Sequence, residues 1–229
     1  KEFQAESKRL LELMIHSIFG RRVNYALSLL LQREAARAMG VDVRVFDDDD
    51  GILLYGIGGK RLPEGLLYLP EPETAEGILR AMLPSTALFS MAFRYNAARA
   101  LMMGVRSGRR QPLWVQRMKG AETLSAVADR WEHPLMEETL RECLEDYLDM
   151  DGLRRVLEGV RAGTIQVREM RLDAPSPMAL PLRRQMEGVL MYDYHPVPAA
   201  ANAASRRALE AQEGVRPAPE LLEAQGARR

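Results

Sequence analysis

GILRAMLPSTALFSMAFRYNAARALMMGVRSGRRQPLWVQRMKGA, residues Gly77 to Ala121, contains no Asp or Glu. It carries eight basic residues: Arg80, Arg94, Arg99, Arg106, Arg109, Arg110, Arg117 and Lys119. Five of them lie between Arg106 and Lys119, around Gln111-Pro112-Leu113-Trp114. The next thirty residues, Glu122 to Asp151, hold ten acids against two bases, Arg130 and Arg141. Over the whole chain 32 basic residues balance 32 acidic ones, so the charge is segregated rather than in excess. Clustered Arg beside an aromatic suits a phosphate backbone and a stacked base. The alternative is that the Arg arm pairs with the acidic helices after it. This is also where the chain turns helical. Pro84-Ser85-Thr86 is a helix start and Gly104 a stop, which predicts a helix over Ser85–Met103. It is apolar nearly all round (Leu88, Phe89, Met91, Phe93, Tyr95, Leu101) and is expected to be central, packed on more than one side.

Upstream, the middle of the apolar run Leu10–Phe19, closed by Gly20, predicts a buried strand. Apolar residues then recur at helical spacing over Arg21–Met39, with Gly40 placed to cap the end. Val41, Val43 and Val45 alternate with Asp42 and Arg44, a half-buried strand. Asp47–Gly51 is a turn, and Ile52–Tyr55 returns as the partner strand. Gly56 to Gly77 is rich in Gly and Pro and reads as loop, with a short strand at Leu66–Leu69. Downstream, Gln116–Trp131 and Leu135–Leu148 are expected as helices. A further helix, Gly152–Arg161, has Asp151 as its N-cap and Gly163 as its stop. Thr164–Arg171 alternates Ile165 and Val167 against Gln166 and Arg168, the period of a strand. Leu182–Tyr192 is amphipathic. The expected fold class is α+β: a small, mostly antiparallel sheet packed against a helical bundle. Residues 1–198 read as one domain. Residues 199–229 read as an Ala/Arg/Glu/Pro-rich tail, with a weak helix near Ala203–Gln212 and disorder beyond.

A 47% hydrophobic content suffices for a sizeable core. Zero net charge argues against a generic polycation, so a nucleic-acid contact would be a local patch. One cysteine, Cys143, excludes an internal disulfide and a cysteine metal site, and suits a reducing cytoplasm. No apolar run approaches a membrane span. The start, Lys1-Glu2-Phe3-Gln4, reads as a point within a longer chain.

Other motifs are weaker. Gly56-Ile57-Gly58-Gly59-Lys60-Arg61 lacks the spacing of a Walker A loop and reads as a turn. Asp47–Asp50 would place Phe46 at the first ligand position of a calcium loop, so it reads as a solvated hairpin tip. His16, His133 and His195 have no metal-ligand spacing. His16 either neighbours a phosphate at the helix start, with Ser17, Arg21 and Arg22, or is buried against backbone. Glu137, Glu138, Glu142, Glu145 and Asp146 form a charged outer helix face. Trp114 either stacks on a base or plugs the core where the loop enters the next helix. Trp131 reads as packing. Neither a nucleophile–base arrangement nor an ATP-binding motif is present.

Several ordered motifs carry a family resemblance. His16-Ser17-Ile18-Phe19-Gly20-Arg21-Arg22-Val23 resembles the "HSxFG-x-RV" start of the DEAD/H-associated domain in Lhr-type (large helicase-related) superfamily-2 helicases. Val41-Asp42-Val43 with Asp48-Asp49-Asp50-Gly51-Ile52 is similar to its "GVDV…DDGI" hairpin. Ser85-Thr86-Ala87-Leu88-Phe89 and Phe93-Arg94-Tyr95-Asn96-Ala97-Ala98-Arg99-Ala100-Leu101 resemble "SALF…FRxNAARAL". Arg109 to Arg117 resembles "R+xPLWxQR", and His133 to Asp146 "xPxxxEtxRECLxD". The resemblance spans about Leu10 to Tyr194.

It implies a parent enzyme that hydrolyses ATP with Mg in upstream motor domains and translocates along single-stranded nucleic acid, unwinding DNA or RNA–DNA duplexes, with single-stranded DNA or an RNA–DNA hybrid as partner. It also implies that this domain follows two RecA-like domains and a winged helix and helps enclose the strand. No cofactor is expected in this chain itself, and the region beyond Pro198 suggests a short form of the parent. The expected nucleic-acid-binding residues are Arg21, Arg22, Arg94, Arg106, Arg109, Arg110, Trp114, Arg117 and Lys119.

Overall fold

The computed structural model describes residues 12–39, 43–56, 69–104, 112–130, 132–168, 170, 172 and 174–192. These form an α+β fold. Its elements are β1 (Glu12–His16), α1 (Arg21–Met39), β2 (Val43–Asp47), β3 (Gly51–Gly56), α2 (Pro72–Met82), α3 (Ala87–Arg99), α4 (Leu113–Val127), α5 (Pro134–Glu142), α6 (Met150–Arg161) and α7 (Leu180–Tyr192). The strands make an antiparallel sheet in the order β1-β3-β2. The described residues fall into two compact units. One runs up to Leu79 and resumes at Arg141; the other spans Arg80–Leu140.

The first unit is built on the sheet's alternation. Register pairs Met14 with Leu53 and Phe46 with Leu53, so these share a face. That face packs on Leu182 and Met186 of α7. The opposite face carries Ile52, Leu54 and Val43, all buried, against α1. Helices therefore cover both sides of a three-stranded sheet, which would be marginal on its own. α6 lies against α1 at Gly152, where a Cβ would sit 2.8 Å from Val23 Cγ2 and 2.6 Å from Asp149 Oδ2. Only a glycine lets the two helices come this close.

The second unit is helical. Phe89, Ala92, Phe93, Asn96 and Ala97 are its buried stripe on α3, with Phe89 and Phe93 stacked at 6.2 Å. Thr86 caps α3, its Oγ1 accepting from the Phe89 amide at 3.1 Å. Asn96 is satisfied in the core by donating to Thr139 Oγ1 at 3.2 Å.

Five sequence expectations are corrected. α2 begins at Pro72, inside the stretch expected to be loop, because proline is well suited to a helix's first turn. α3 buries one stripe rather than packing all round; Tyr95 and Leu101 on it or just after it are exposed. Asp149, not Asp151, caps α6, its Oδ1 accepting from the Gly152 amide at 2.8 Å. Thr164–Arg168 joins no strand. Instead Ile165 folds back on α6, its amide donating to Gly159 O at 3.0 Å and its side chain lying over that glycine. Between α5 and α6 the chain makes a π-turn, Cys143–Tyr147, where a continuous helix to Leu148 was expected. The expected strand at Leu66–Leu69 mostly, and the tail from residue 199 entirely, lie outside the described residues.

Asp47, at the end of β2, is packed against the sheet with its Oδ2 lacking a hydrogen-bond partner among the described residues; Arg21 Nε stands 3.6 Å away. Burial, opposed in part by the Arg21 charge, pushes its carboxyl up to about 6. The folded state therefore holds a proton that the unfolded chain releases near pH 4. Stability from this group is full below that pH and is lost as pH rises through about 6. Asp47→Asn should erase this step and stabilise the protein near pH 7.5 by on the order of 2 kcal/mol. Urea unfolding at pH 5 and pH 7.5 measures it, and parallel pH dependences in both proteins would refute it.

Candidate nucleic-acid interface

The expected binding residues separate by unit. Arg21 and Arg22 open α1 in the first. The Arg21 amide donates to Asp49 Oδ1 at 3.0 Å, and its side chain pairs with Asp47. A carboxylate thus occupies the helix end that a phosphate would take. Arg22 donates through Nη2 to Leu148 O at 2.9 Å and Glu145 O at 3.4 Å, satisfying carbonyls freed by the π-turn. His16 is neither buried nor beside an anion site. It is exposed, its Nε2 3.3 Å from Ser176 Oγ.

Arg94, on α3, and Trp114, Arg117 and Lys119, on α4, all belong to the second unit. The Arg94 stem covers Gly120, where a Cβ would meet its Cγ at 3.1 Å. Its guanidinium carbon sits 5.1 Å from the Tyr95 ring centre, a cation–π distance. α4 starts at Pro112, whose side chain can cap nothing, and its first turn has no acid. Trp114 is 66% exposed, which removes the core-plug reading. Arg117 and Met118 follow it at helical spacings of three and four and are also exposed. Lys119 is half-buried, its Nζ donating to Gly104 O at 2.9 Å in an exposed bond. Arg106, Arg109 and Arg110 lie outside the described residues, as does Trp131. Arg80, of the same basic stretch, pairs with Glu137 at 3.2 Å.

Sequence reasoning missed the apolar rim: Tyr95, Leu101, Met102, Leu113 and Met118 are all exposed. Leu101 is the most unusual, with φ at 57°. It ends α3 as a left-handed cap, with Met102 N donating to Ala97 O at 2.9 Å. The available signal was the core spacing 89, 92, 93, 96 and 97, which leaves Arg94, Tyr95 and Arg99 on the other side.

Other chemistry finds little footing. Burial pushes the Cys143 thiol up to about 12, so it stays protonated and unreactive. Among the described residues no cluster of His, Cys, Asp and Glu has the geometry to hold a metal. No described helix is long and apolar enough to cross a membrane.

The fold and this surface belong to a helicase-associated domain. The profile of the family described as "DEAD/H associated" matches residues 2–179, and the chain belongs to that family. It is 35% identical over 203 residues to the Lhr helicase/uracil glycosylase of Escherichia coli, covering 87% of this chain and 13% of that protein. It is 34% identical over 175 residues to the ATP-dependent helicase Lhr-Core of Methanothermobacter thermautotrophicus, covering 76% and 20%. Its fold matches the structure of Mycobacterium smegmatis helicase Lhr bound to ssDNA and AMP-PNP with a TM-score of 0.68 and 30% identity, over 76% of this chain and 22% of that one. The chain thus corresponds to a segment of Lhr helicases, an eighth to about a fifth of their length.

A left-handed Leu carries a steric cost that glycine escapes. Leu101→Gly should raise stability by about 1 kcal/mol. Urea unfolding measures this, and a loss of stability would show that Leu101 is not strained.

Proposed function

We propose that this chain is an accessory nucleic-acid-binding domain of an ATP-dependent helicase and lines the path of the translocating single strand. The observation that carries the reading is the exposure of Trp114 above Arg117 in a stretch without acids. An exposed indole offers a face to any base, and the guanidinium beside it matches a phosphate. The first turn of α4 has no side-chain cap from Pro112 and no acid, a setting that favours an anion. Arg106, Arg109 and Arg110 immediately precede this turn in sequence and extend the charge. The likeness to a helicase solved with ssDNA supports the choice of single-stranded DNA as ligand, with an RNA–DNA hybrid as a related one. ATP and Mg would act in RecA-like motor domains of the same polypeptide, joined through a winged helix, in the cytoplasm. The domain's own part is to hold the strand while the motor moves it.

A second reading, a protein-interaction or purely structural domain with its basic arm neutralised internally, draws on the Arg80–Glu137 pair and on Lys119 bound to a backbone carbonyl.

Trp114→Ala should weaken single-strand binding by about tenfold, from the 1–3 kcal/mol a stacked base contributes. Trp114→Phe should keep most of it. Arg109→Ala with Arg110→Ala should flatten the salt dependence by about one and a half to two in slope, if both touch phosphate. Fluorescence anisotropy with labelled oligonucleotides at several salt concentrations reads both. Unchanged affinity and slope would leave the protein-interaction reading in the lead.

A further inference from the structure

The turn that ends α3 holds Leu101 where the fold has least use for it. Both bonds of a Schellman motif are made: Leu101 N donates to Ala98 O at 3.1 Å and Met102 N to Ala97 O at 2.9 Å. The motif needs a left-handed residue, and Leu101 supplies it at φ 57°. Glycine takes that conformation without steric cost, and leucine does not. The leucine side chain gains little burial in exchange, being 79% exposed. The turn is nevertheless anchored. Of its three successive apolar residues, Leu101 and Met102 stand in solvent while Met103 is buried at 7% exposure. Met103 and the two backbone bonds therefore fix Leu101 in an outward position.

That position adjoins α4. Lys119 Nζ donates to Gly104 O at 2.9 Å, which ties the end of the turn to the helix carrying Trp114 and Arg117. The Arg94 stem against Gly120 is a second tie between α3 and α4. The whole stretch Gly77–Ala121 is free of acids. Exposed apolar side chains among cations suit a ligand with flat apolar faces and regularly spaced negative charge. A nucleic-acid strand has both, and an apolar protein segment has only the first.

We propose that Leu101 is a further contact residue of the strand site, its side chain packing on a base of the same strand that Trp114 stacks. The inference deepens the reading of this surface as a single-strand contact and rests on it. Aliphatic side chains serve in this way where proteins press apolar wedges against bases. The left-handed cap then has a role: it turns the side chain away from α3 and trades stability for contact.

Leu101→Asn tests it, because asparagine accepts the left-handed conformation and lacks the apolar surface. Its urea midpoint should rise, while its affinity for a thymidine oligonucleotide should fall about fivefold. Leu101→Met should keep that affinity. On an oligonucleotide of the same length with abasic sites in place of bases, wild type and Leu101→Asn should bind equally, since the lost contact is to a base. Unchanged affinity of Leu101→Asn for the thymidine strand overturns the proposal, as does an equal loss on the abasic strand. A fall in the urea midpoint assigns Leu101 to the fold and overturns it too. Sedimentation that shows self-association of the wild type, abolished by Leu101→Asn, assigns the side chain to a second copy and has the same consequence. Trp114→Ala is read on the same two strands. Where it weakens thymidine binding and Leu101→Asn does not, the single-strand reading stands and this inference fails. Absence of strand binding by the wild-type chain ends both.

Discussion

Asn24 has no exposed surface and holds the first unit together at its most polar point. Its Nδ2 donates to Ser17 O at 2.8 Å, Asp48 O at 2.9 Å and Asp49 O at 3.1 Å, while its Oδ1 accepts from Ser17 Oγ at 2.6 Å. One side chain thus joins the end of β1, the tip of the β2–β3 hairpin and the first turn of α1. Removing it would take the donor from three carbonyls, one of them fully buried, a cost of several unmade bonds rather than one. Everything at that corner follows from this placement. With the tip fixed over α1, Asp49 reaches the Arg21 amide and Asp47 is held in the apolar layer beside Arg21. The α1 N-terminus is then occupied by the protein's own carboxylates. Arg21 and Arg22, which sequence alone offers as phosphate ligands, have partners within the fold.

The second unit has the opposite economy. α4 is anchored late: Gly120 is covered by Arg94, and the buried contacts Leu124 and Val127 come in its last two turns. Its first two turns hold Leu113, Trp114 and Met118 in solvent. An indole left out at that exposure forfeits most of the burial energy available to it. The fold spends nothing on hiding it, and the strained Leu101 cap lies on the same unit's exposed rim. Strain and uncovered aromatic surface are the features that ligand sites tend to accumulate.

The parts legible in the sequence were those set by local periodicity. α1 runs from Arg21 to Met39 as its 3.6-residue spacing requires, and the hairpin turns at Asp47–Gly51 as its Asp-Gly demands. The failures were tertiary. Ile165 and Val167 alternate like a strand, but a glycine in α6 gives Ile165 a nearer place to pack. Asp149 and Asp151 are equally good caps on paper, and the π-turn decides between them by where it releases the chain. Trp114 follows a proline whether it plugs a core or projects, so only the packing of Gly120 and Leu124 settles its exposure. The sorting of the arginines was likewise invisible, because Arg22's acceptors lie more than a hundred residues away.

The pairing of Arg80 with Glu137 does not by itself favour internal neutralisation over a nucleic-acid surface. Both side chains are substantially exposed, and such a pair contributes between nothing and about 1 kcal/mol. A phosphate backbone offers the same guanidinium a charge-assisted contact and releases condensed counterions besides. Glu137 would then lose little by returning to water. An arginine in a solvent-facing ion pair is therefore compatible with either partner, and counting such pairs cannot separate the two readings. Arg22 is different in kind, since its acceptors are backbone carbonyls at the π-turn rather than a carboxylate. What separates the readings is the uncharged member of the cluster. An internal acid can neutralise an arginine, but the fold leaves most of Trp114 in solvent, and a base can cover it.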